Sequence, residues 1–180
     1  MIGKQEFATS NKLLKEAALY FKERQDDLMI SNTYRYMAET QSFSGNYSQA
    51  KRYLYYATES LKKIKKCSAY VKTYQNLLNT HLGALLLYKN KVKEAEFYFK
   101  EGLEIDDKIG SKSTGLIWNN IGLGLVYEKK GDCSTASTYF TKAKEAILFF
   151  DLGKNLEHRY VLLAILKDIL SKSKFNLHFD

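Results

Sequence analysis

The sequence predicts an all-α fold built from antiparallel helix pairs, and three observations carry this prediction. The 180 residues contain no proline, so no position is barred from the interior of a helix. Hydrophobic residues make up 45% of the chain and charged residues 27%, a balance typical of a globular domain with a buried core. Three segments also repeat one order of small, apolar and turn-forming residues. We therefore expect a single helical-repeat domain over residues 1–180.

The first element covers residues from about 4 to 24. Its apolar pairs Leu13-Leu14, Ala17-Ala18 and Tyr20-Phe21 recur at the spacing of one helix face. Because no turn and partner helix precede it in the same pattern, we interpret it as the second helix of a repeat whose first helix is absent.

Three full repeats follow at about residues 31–66, 76–108 and 117–150. Each has a Gly or Asn where its first helix ends, namely Gly45, Asn90 or Gly131, and these residue types accept the left-handed backbone conformation of a helix C-terminus. Small side chains let two helices approach closely where they cross. The nine crossing positions are all Ala or Gly: Ala38, Ala50, Ala57, Gly83, Ala95, Gly102, Gly124, Ala136 and Ala143.

The third repeat can be aligned in two registers. Ile121-Gly122 matches the first-helix motif two residues before Leu123-Gly124 does. The distance to the turn at Gly131 favours the later register. An error here would rotate the helix by about 100° per residue and change which side chains face outward.

The last element is a helix at about residues 155–172. Its segment Val161–Leu166, followed by Ile169 and Leu170, is apolar on nearly all sides. Such a helix needs to be covered by something. A homodimer formed through this helix is therefore the alternative to a monomeric array.

The order of residues in the three repeats resembles the tetratricopeptide repeat (TPR), over residues from about 31 to 146. The markers Ala50, Ala95 and Ala136 stand 45 and 41 residues apart, whereas the family period is 34, so the chain is similar to the long-period variant. The resemblance implies a right-handed α-solenoid whose first helices line a concave groove, and a protein or peptide ligand held there.

A second resemblance is to the repeat domain of Gram-positive peptide-pheromone receptors of the Rap and Plc-regulator type, and it rests on the Lys-, Asn- and Tyr-rich composition. It implies a regulatory peptide as the ligand. Those receptors carry an additional N-terminal domain for which this chain has no room. We therefore expect neither DNA binding nor dephosphorylation of a response regulator.

The TPR resemblance also implies which residues line or border the groove. We expect a polar end and an apolar end, with amide side chains pairing with a peptide backbone. The alternative is that the apolar members, with Leu77 and Leu87, pack against neighbouring helices instead. The predicted binding residues are Asn32, Arg35, Glu39, Asn79, Thr80, Trp118, Asn119, Ile121 and Leu125.

Catalytic and metal-binding patterns do not emerge from the sequence. The histidines His81, His158 and His178 share no metal-ligand spacing with Cys67 or Cys133. No potential nucleophile has a residue nearby in the sequence that could act as its general base. We therefore expect no catalytic residue, no metal, no cofactor and no enzymatic activity.

The net charge of +8 comes with lysines that are spread along many helices. The dense run at residues 62–66 has the pattern of a solvated helix face, so nucleic-acid binding through the basic helices is only the remote alternative to peptide binding. No apolar run approaches the roughly 18 residues of a membrane span, and no secretory signal is recognisable. These features predict a soluble cytoplasmic protein with free thiols and no membrane partner.

Overall fold

The computed structural model describes residues 2–65, 68–110 and 114–149, together with positions 168, 169 and 171. This part of the chain contains α-helices and no strand, which confirms the all-α prediction. The helices are α1 (Ile2–Glu23), α2 (Asp27–Phe43), α3 (Tyr47–Lys62), α4 (Ala69–Tyr88), α5 (Val92–Ile109), α6 (Thr114–Lys129) and α7 (Cys133–Phe149).

Consecutive helices pack against each other along the whole described chain. The closest partners are α2 with α3, α4 with α5 and α6 with α7, while α1 packs on α2. The three pairs span residues 27–62, 69–109 and 114–149, so each begins three to seven residues before the repeat boundary drawn from the sequence. The chain is thus an array of helix pairs, as a solenoid of repeats requires.

The small residues lie where the repeat pattern predicts. All nine of the Ala and Gly crossing positions are buried. Gly83 and Gly124 each face a phenylalanine of the second helix in their own pair: an added Cβ would come within 2.7 Å of Phe99 and of Phe140, respectively. The later register of the third repeat, with Gly124 at the crossing, is therefore confirmed.

The turns inside the three pairs share one geometry. Gly45, Asn90 and Gly131 have positive φ angles of 74°, 58° and 77°, as their residue types predict. In each turn the next backbone N–H donates to a carbonyl five residues earlier, at 2.8–3.0 Å, which closes the helix end. Gln25, between α1 and α2, adopts the same conformation with φ of 54°. The sequence does not predict this, because Gln is not a residue that favours positive φ.

The array curves toward the side formed by its first helices. Helix α2 contacts α4, and α4 contacts α6, whereas α3, α5 and α7 make no contacts of similar extent with one another in the described chain. Helices that approach more closely on one side of an array place that side on the inside of the curve. We call the solvent-facing side of α2, α4 and α6 the concave face.

Most of the predicted terminal helix, residues 155–172, lies outside the described residues. Ile169 is described, and its side chain packs against the buried cluster of α6 and α7 that includes Ile117, Phe140 and Ile147. At this one position the apolar surface is therefore covered within the chain. The homodimer through this helix stays a prediction.

Candidate functional site

The polar end of the concave face is a charged cluster that joins α2 to α4. The buried guanidinium of Arg35 donates to Asn32 Oδ1 from Nε at 3.1 Å and from Nη2 at 2.8 Å. Its Nη1 lies 3.7 Å from Glu39 Oε2, and His81 Nε2 lies 3.6 Å from the same oxygen. The carboxylate of Glu39 thus lies between Arg35 of its own helix and His81 of α4.

Glu39 keeps access to solvent although it is held on two sides. Its side chain is 37% exposed, against 8% for Arg35. The interaction with His81 is the main reason that the pKa of Glu39 lies below its ordinary value, and the positive charge of Arg35 adds to the effect while burial opposes it. Glu39 is therefore an ionised, oriented acceptor with an open side.

His81 takes part in this cluster through both ring nitrogens. Its Nδ1 lies 2.8 Å from the carbonyl oxygen of Leu77 one turn earlier. A carbonyl oxygen only accepts, so Nδ1 carries a hydrogen and donates. This bond turns Nε2 toward Glu39, and Nε2 carries a hydrogen for the carboxylate only when the ring is doubly protonated and positively charged. The repeat pattern does not mark His81, because it stands one position after the predicted groove residue Thr80.

Tyr36 and Tyr74 lie near the charged cluster, and Tyr70 contacts Tyr74. The ring centroid of Tyr36 lies 4.0 Å from the Arg35 guanidinium carbon, and Tyr36 is 46% exposed. The hydroxyls of Tyr70 and Tyr74 are 3.2 Å apart, and this hydrogen bond, helped by burial, raises the pKa of Tyr74 to about 12. Tyr36 and Arg35 are both close enough to influence Tyr74. The sequence pattern does not mark these tyrosines, because helical periodicity alone does not show which tyrosines converge between two helices.

The middle of the array holds a buried amide network rather than an open groove. Asn119 Nδ2 donates to Asn76 Oδ1 at 2.8 Å, and the hydroxyl of Thr80 donates to Asn119 Oδ1 at 2.8 Å. Asn76 and Asn119 are fully buried, and Thr80 and Asn79 are each 8% exposed. These amide groups connect α4 to α6. In this conformation the side chains of Asn119 and Thr80 are buried and form hydrogen bonds within the fold.

The apolar end of the concave face is only partly open. Ile121 is 3% exposed and belongs to the core of α6 and α7, whereas Trp118 and Leu125 are half-buried and pack against that core beside Ile169. Leu87 is buried and Leu77 is half-buried. The predicted residues that keep exposed surface are thus Asn32, Glu39, Trp118 and Leu125, and the predicted residues that lie buried are Arg35, Asn79, Thr80, Asn119 and Ile121.

The described side chains form no metal-binding group of three or more His, Cys, Asp or Glu residues. Cys133 is exposed and is not part of a disulfide. In the same part of the chain, no helix combines the length and the apolar character needed to cross a bilayer.

Comparison with known proteins supports the fold alone. No family model matches the chain. No curated protein matches it either. Among solved structures, the chain is similar to the crystal structure of BtubC (BKLC) from P. vanneervenii, with a TM-score of 0.65 and 15% sequence identity. The match covers 99% of this chain and 76% of the BtubC chain. At this identity the two proteins share an arrangement of helices, and nothing about function passes from one to the other.

Proposed function

We propose that this chain is an interaction module that binds an extended peptide segment of a partner protein along its concave face. The observation that carries the proposal is the half-exposed carboxylate of Glu39, oriented by Arg35 and His81 and bordered by the exposed ring of Tyr36. A peptide backbone offers N–H donors to such a carboxylate and side chains to the neighbouring rings.

The small contribution of this cluster to folding stability does not explain why the chain contains it. A half-exposed ion pair contributes roughly 0–1 kcal/mol to folding, because solvent screens it and two long side chains must be ordered. Here the ordering is already built in by the bonds from Arg35 to Asn32 and from His81 to Leu77. A ligand that meets Glu39 would therefore not have to immobilise it, which lowers the entropic cost of binding.

The opposite end of the concave face suits an apolar side chain of the same ligand. Trp118 and Leu125 keep part of their surface outside the core, and aromatic residues in such positions dominate binding energies. The charges of Glu39 and Arg35 cancel, and His81 adds a positive charge only when its ring is doubly protonated, so the ligand expected at the polar end is an uncharged backbone segment. A regulatory peptide would satisfy these requirements, as would an extended loop of a larger partner.

The test is a selection of peptides from a random library on the immobilised wild-type chain, followed by isothermal titration. Glu39→Gln and Tyr36→Ala should each weaken the selected peptides about tenfold or more. The matched control is Glu104→Gln, which removes an exposed carboxylate that pairs with Lys108 at the same i,i+4 spacing on α5. The control should bind like wild type.

Trp118 tests the apolar end separately. Trp118→Ala should weaken a peptide that spans the face by about 2 kcal/mol. Because Trp118 also packs on the core, circular dichroism must first show that this variant is folded. Peptides that bind equally to wild type, Glu39→Gln and Trp118→Ala would place the binding surface elsewhere, and a library that yields no peptide would reject the proposal.

A further inference from the structure

The net charge of the chain is concentrated in one stretch. Residues 47–91 contain nine of the 28 Lys and Arg residues but one of the 20 Asp and Glu residues, which gives this stretch a charge of +8. The rest of the chain contains 19 residues of each sign and is neutral overall. The stretch comprises α3, α4 and the connection between them. Its charge does not stand out within any one helix, because it is spread over both helices and their connection.

The outer face of α3, opposite the concave face, presents much of this charge. The buried side of α3 is formed by Ala50, Leu54, Ala57 and Leu61, and the opposite side exposes Lys51, Arg52, Lys62 and Lys63. Nζ of Lys62 lies 2.8 Å from Glu59 Oε1, and Nζ of Lys63 lies 3.7 Å from Asp27 Oδ1.

Lys51 and Arg52 keep their charge available. In the described chain, no carboxylate lies within ion-pair distance of either residue. The hydrogen bond from Arg52 to the amide oxygen of Gln49 is long, at 3.5 Å. The face from Arg52 to Lys63 extends over about 16 Å of helix axis, which is long enough to follow several units of a polymer.

An exposed aromatic ring lies in the middle of this basic face. Tyr55 is 61% exposed, one helical turn after Lys51, and its ring centroid is 5.9 Å from that of Tyr56. Tyr56 in turn contacts Tyr34 of α2, with their ring centroids 5.4 Å apart. One side of the Tyr55 ring thus packs against Tyr56, and the other side faces solvent. A large exposed ring among cations is a platform on which a planar group can stack.

We propose that the outer face of α3 binds single-stranded nucleic acid, with Lys51, Arg52, Lys62 and Lys63 contacting phosphates and Tyr55 stacking on a base. The aromatic platform favours nucleic acid over an acidic protein surface, because carboxylates need cations but no stacking partner. Bases of a duplex are stacked on each other and reachable only through a groove, and α3 is packed lengthwise into the array, so a single strand is the form that fits.

The proposal is tested by fluorescence anisotropy with fluorescein-labelled 20-nucleotide dT and rU strands and a 20-base-pair duplex. The single strands should bind more tightly than the duplex, with affinity that falls steeply between 50 and 200 mM salt, about tenfold or more. Lys51→Glu combined with Arg52→Glu should weaken binding at least about thirtyfold. Tyr55→Ala should weaken it about tenfold, because one stacking contact is lost.

The matched control is Lys93→Glu combined with Lys108→Glu on the outer side of α5. It makes the same change in net charge on the second helix of the following pair and should alter binding less than about threefold. Equal weakening by both double variants would mean that net charge alone attracts the strand, and the proposal would fail. It would also fail if neither single strand bound, or if the duplex bound more tightly.

An acidic protein partner is the remaining alternative for this face. Polyglutamate that displaces the strand, together with unchanged binding by Tyr55→Ala, would indicate such a partner and overturn the proposal. Glu39→Gln should bind the strands like wild type, because it lies on the concave face. Failure of this proposal therefore leaves the proposed peptide site untouched.

Discussion

The ring of Phe99 in α5 lies against Gly122 in α6, so closely that an added Cβ at Gly122 would come within 2.6 Å of Phe99 Cε2. The same ring fills the space beside Gly83 of α4. Phe99 therefore joins its own helix pair to the next one. This explains why the third repeat carries two glycine motifs: Gly124 meets Phe140 inside the pair, and Gly122 meets Phe99 of the preceding pair.

We predict that Gly122→Ala lowers the free energy of unfolding by about 2 kcal/mol, because the new methyl group overlaps a ring that has no free space to move into. Phe99 is 2% exposed and belongs to a buried cluster with Leu123 and Val126. Urea unfolding followed by circular dichroism measures the loss.

A double variant shows whether the overlap with Phe99 is the cause. Phe99→Leu alone should destabilise the chain, because it leaves a cavity. In the presence of Phe99→Leu, the additional cost of Gly122→Ala should fall below about 1 kcal/mol, since the two sites are coupled through one contact. Costs that simply add would show that Gly122 and Phe99 are independent, contrary to the packing described.

The repeat could be predicted because it rests on steric rules that act residue by residue. Each helix crossing needs a small residue, and each turn needs a residue that accepts the left-handed backbone conformation, whatever the rest of the chain does. The crossings have Ala50, Ala95 and Ala136, and two of the turns have Gly45 and Gly131. The positive φ of Gln25 could not be predicted, because glutamine disfavours this conformation and the packing of α1 on α2 requires it.

The candidate site could be predicted only in part, since accessibility depends on neighbours that are distant in sequence. Asn119 and Glu39 both stand at polar positions of a first helix. Asn119 is buried because Asn76, 43 residues earlier, accepts its hydrogen bond, whereas Glu39 stays open beside His81. No spacing within one helix distinguishes these two cases.

The buried amide network gives the second prediction. Asn119→Ala would leave the Asn76 amide oxygen without its donor, while the Thr80 hydroxyl could still donate to the Asn76 carbonyl oxygen at 3.0 Å. A buried polar group that loses its partner costs roughly 1–3 kcal/mol, so we expect a loss of about 2 kcal/mol in urea unfolding. The control is Asn46→Ala, which removes an exposed amide-to-amide bond to Gln41 and should cost less than about 0.5 kcal/mol. Similar costs for both variants would contradict the burial of the network.

The third prediction concerns acid sensitivity at the contact between α5 and α6. Glu96 accepts hydrogen bonds from Lys100 and Tyr127, each at 2.8 Å, and from Lys130. Burial alone would raise the pKa of Glu96, but these bonds outweigh it and lower the pKa to about 2. A carboxyl group with a lowered folded-state pKa stabilises the fold above its unfolded-state pKa, and this contribution is lost as the pH falls.

Glu96→Gln should therefore be less stable than wild type by about 1 kcal/mol at pH 6, a value that allows for screening of the lysine ammonium groups by water. The difference should shrink as the pH falls from about 4.5 toward 2, because protonated Glu96 no longer attracts the lysines. Urea unfolding at a series of pH values measures it, with Glu104→Gln as the control for a single exposed pair. A difference that stays constant down to pH 2 would refute the role of the charge.

The fourth prediction uses the turn that the sequence did not reveal. Gln25 has φ of 54°, a conformation that costs a residue with a Cβ roughly 1–2 kcal/mol and glycine almost nothing. Part of this gain is offset, because glycine makes the unfolded chain more flexible. Gln25→Gly should therefore raise the free energy of unfolding by about 0.5 kcal/mol. Asn90→Gly is the control: Asn tolerates the same conformation, so its replacement should change stability by less than about 0.3 kcal/mol. If Gln25→Gly destabilised the chain, the side chain of Gln25 would have to stabilise this turn by more than its backbone conformation costs.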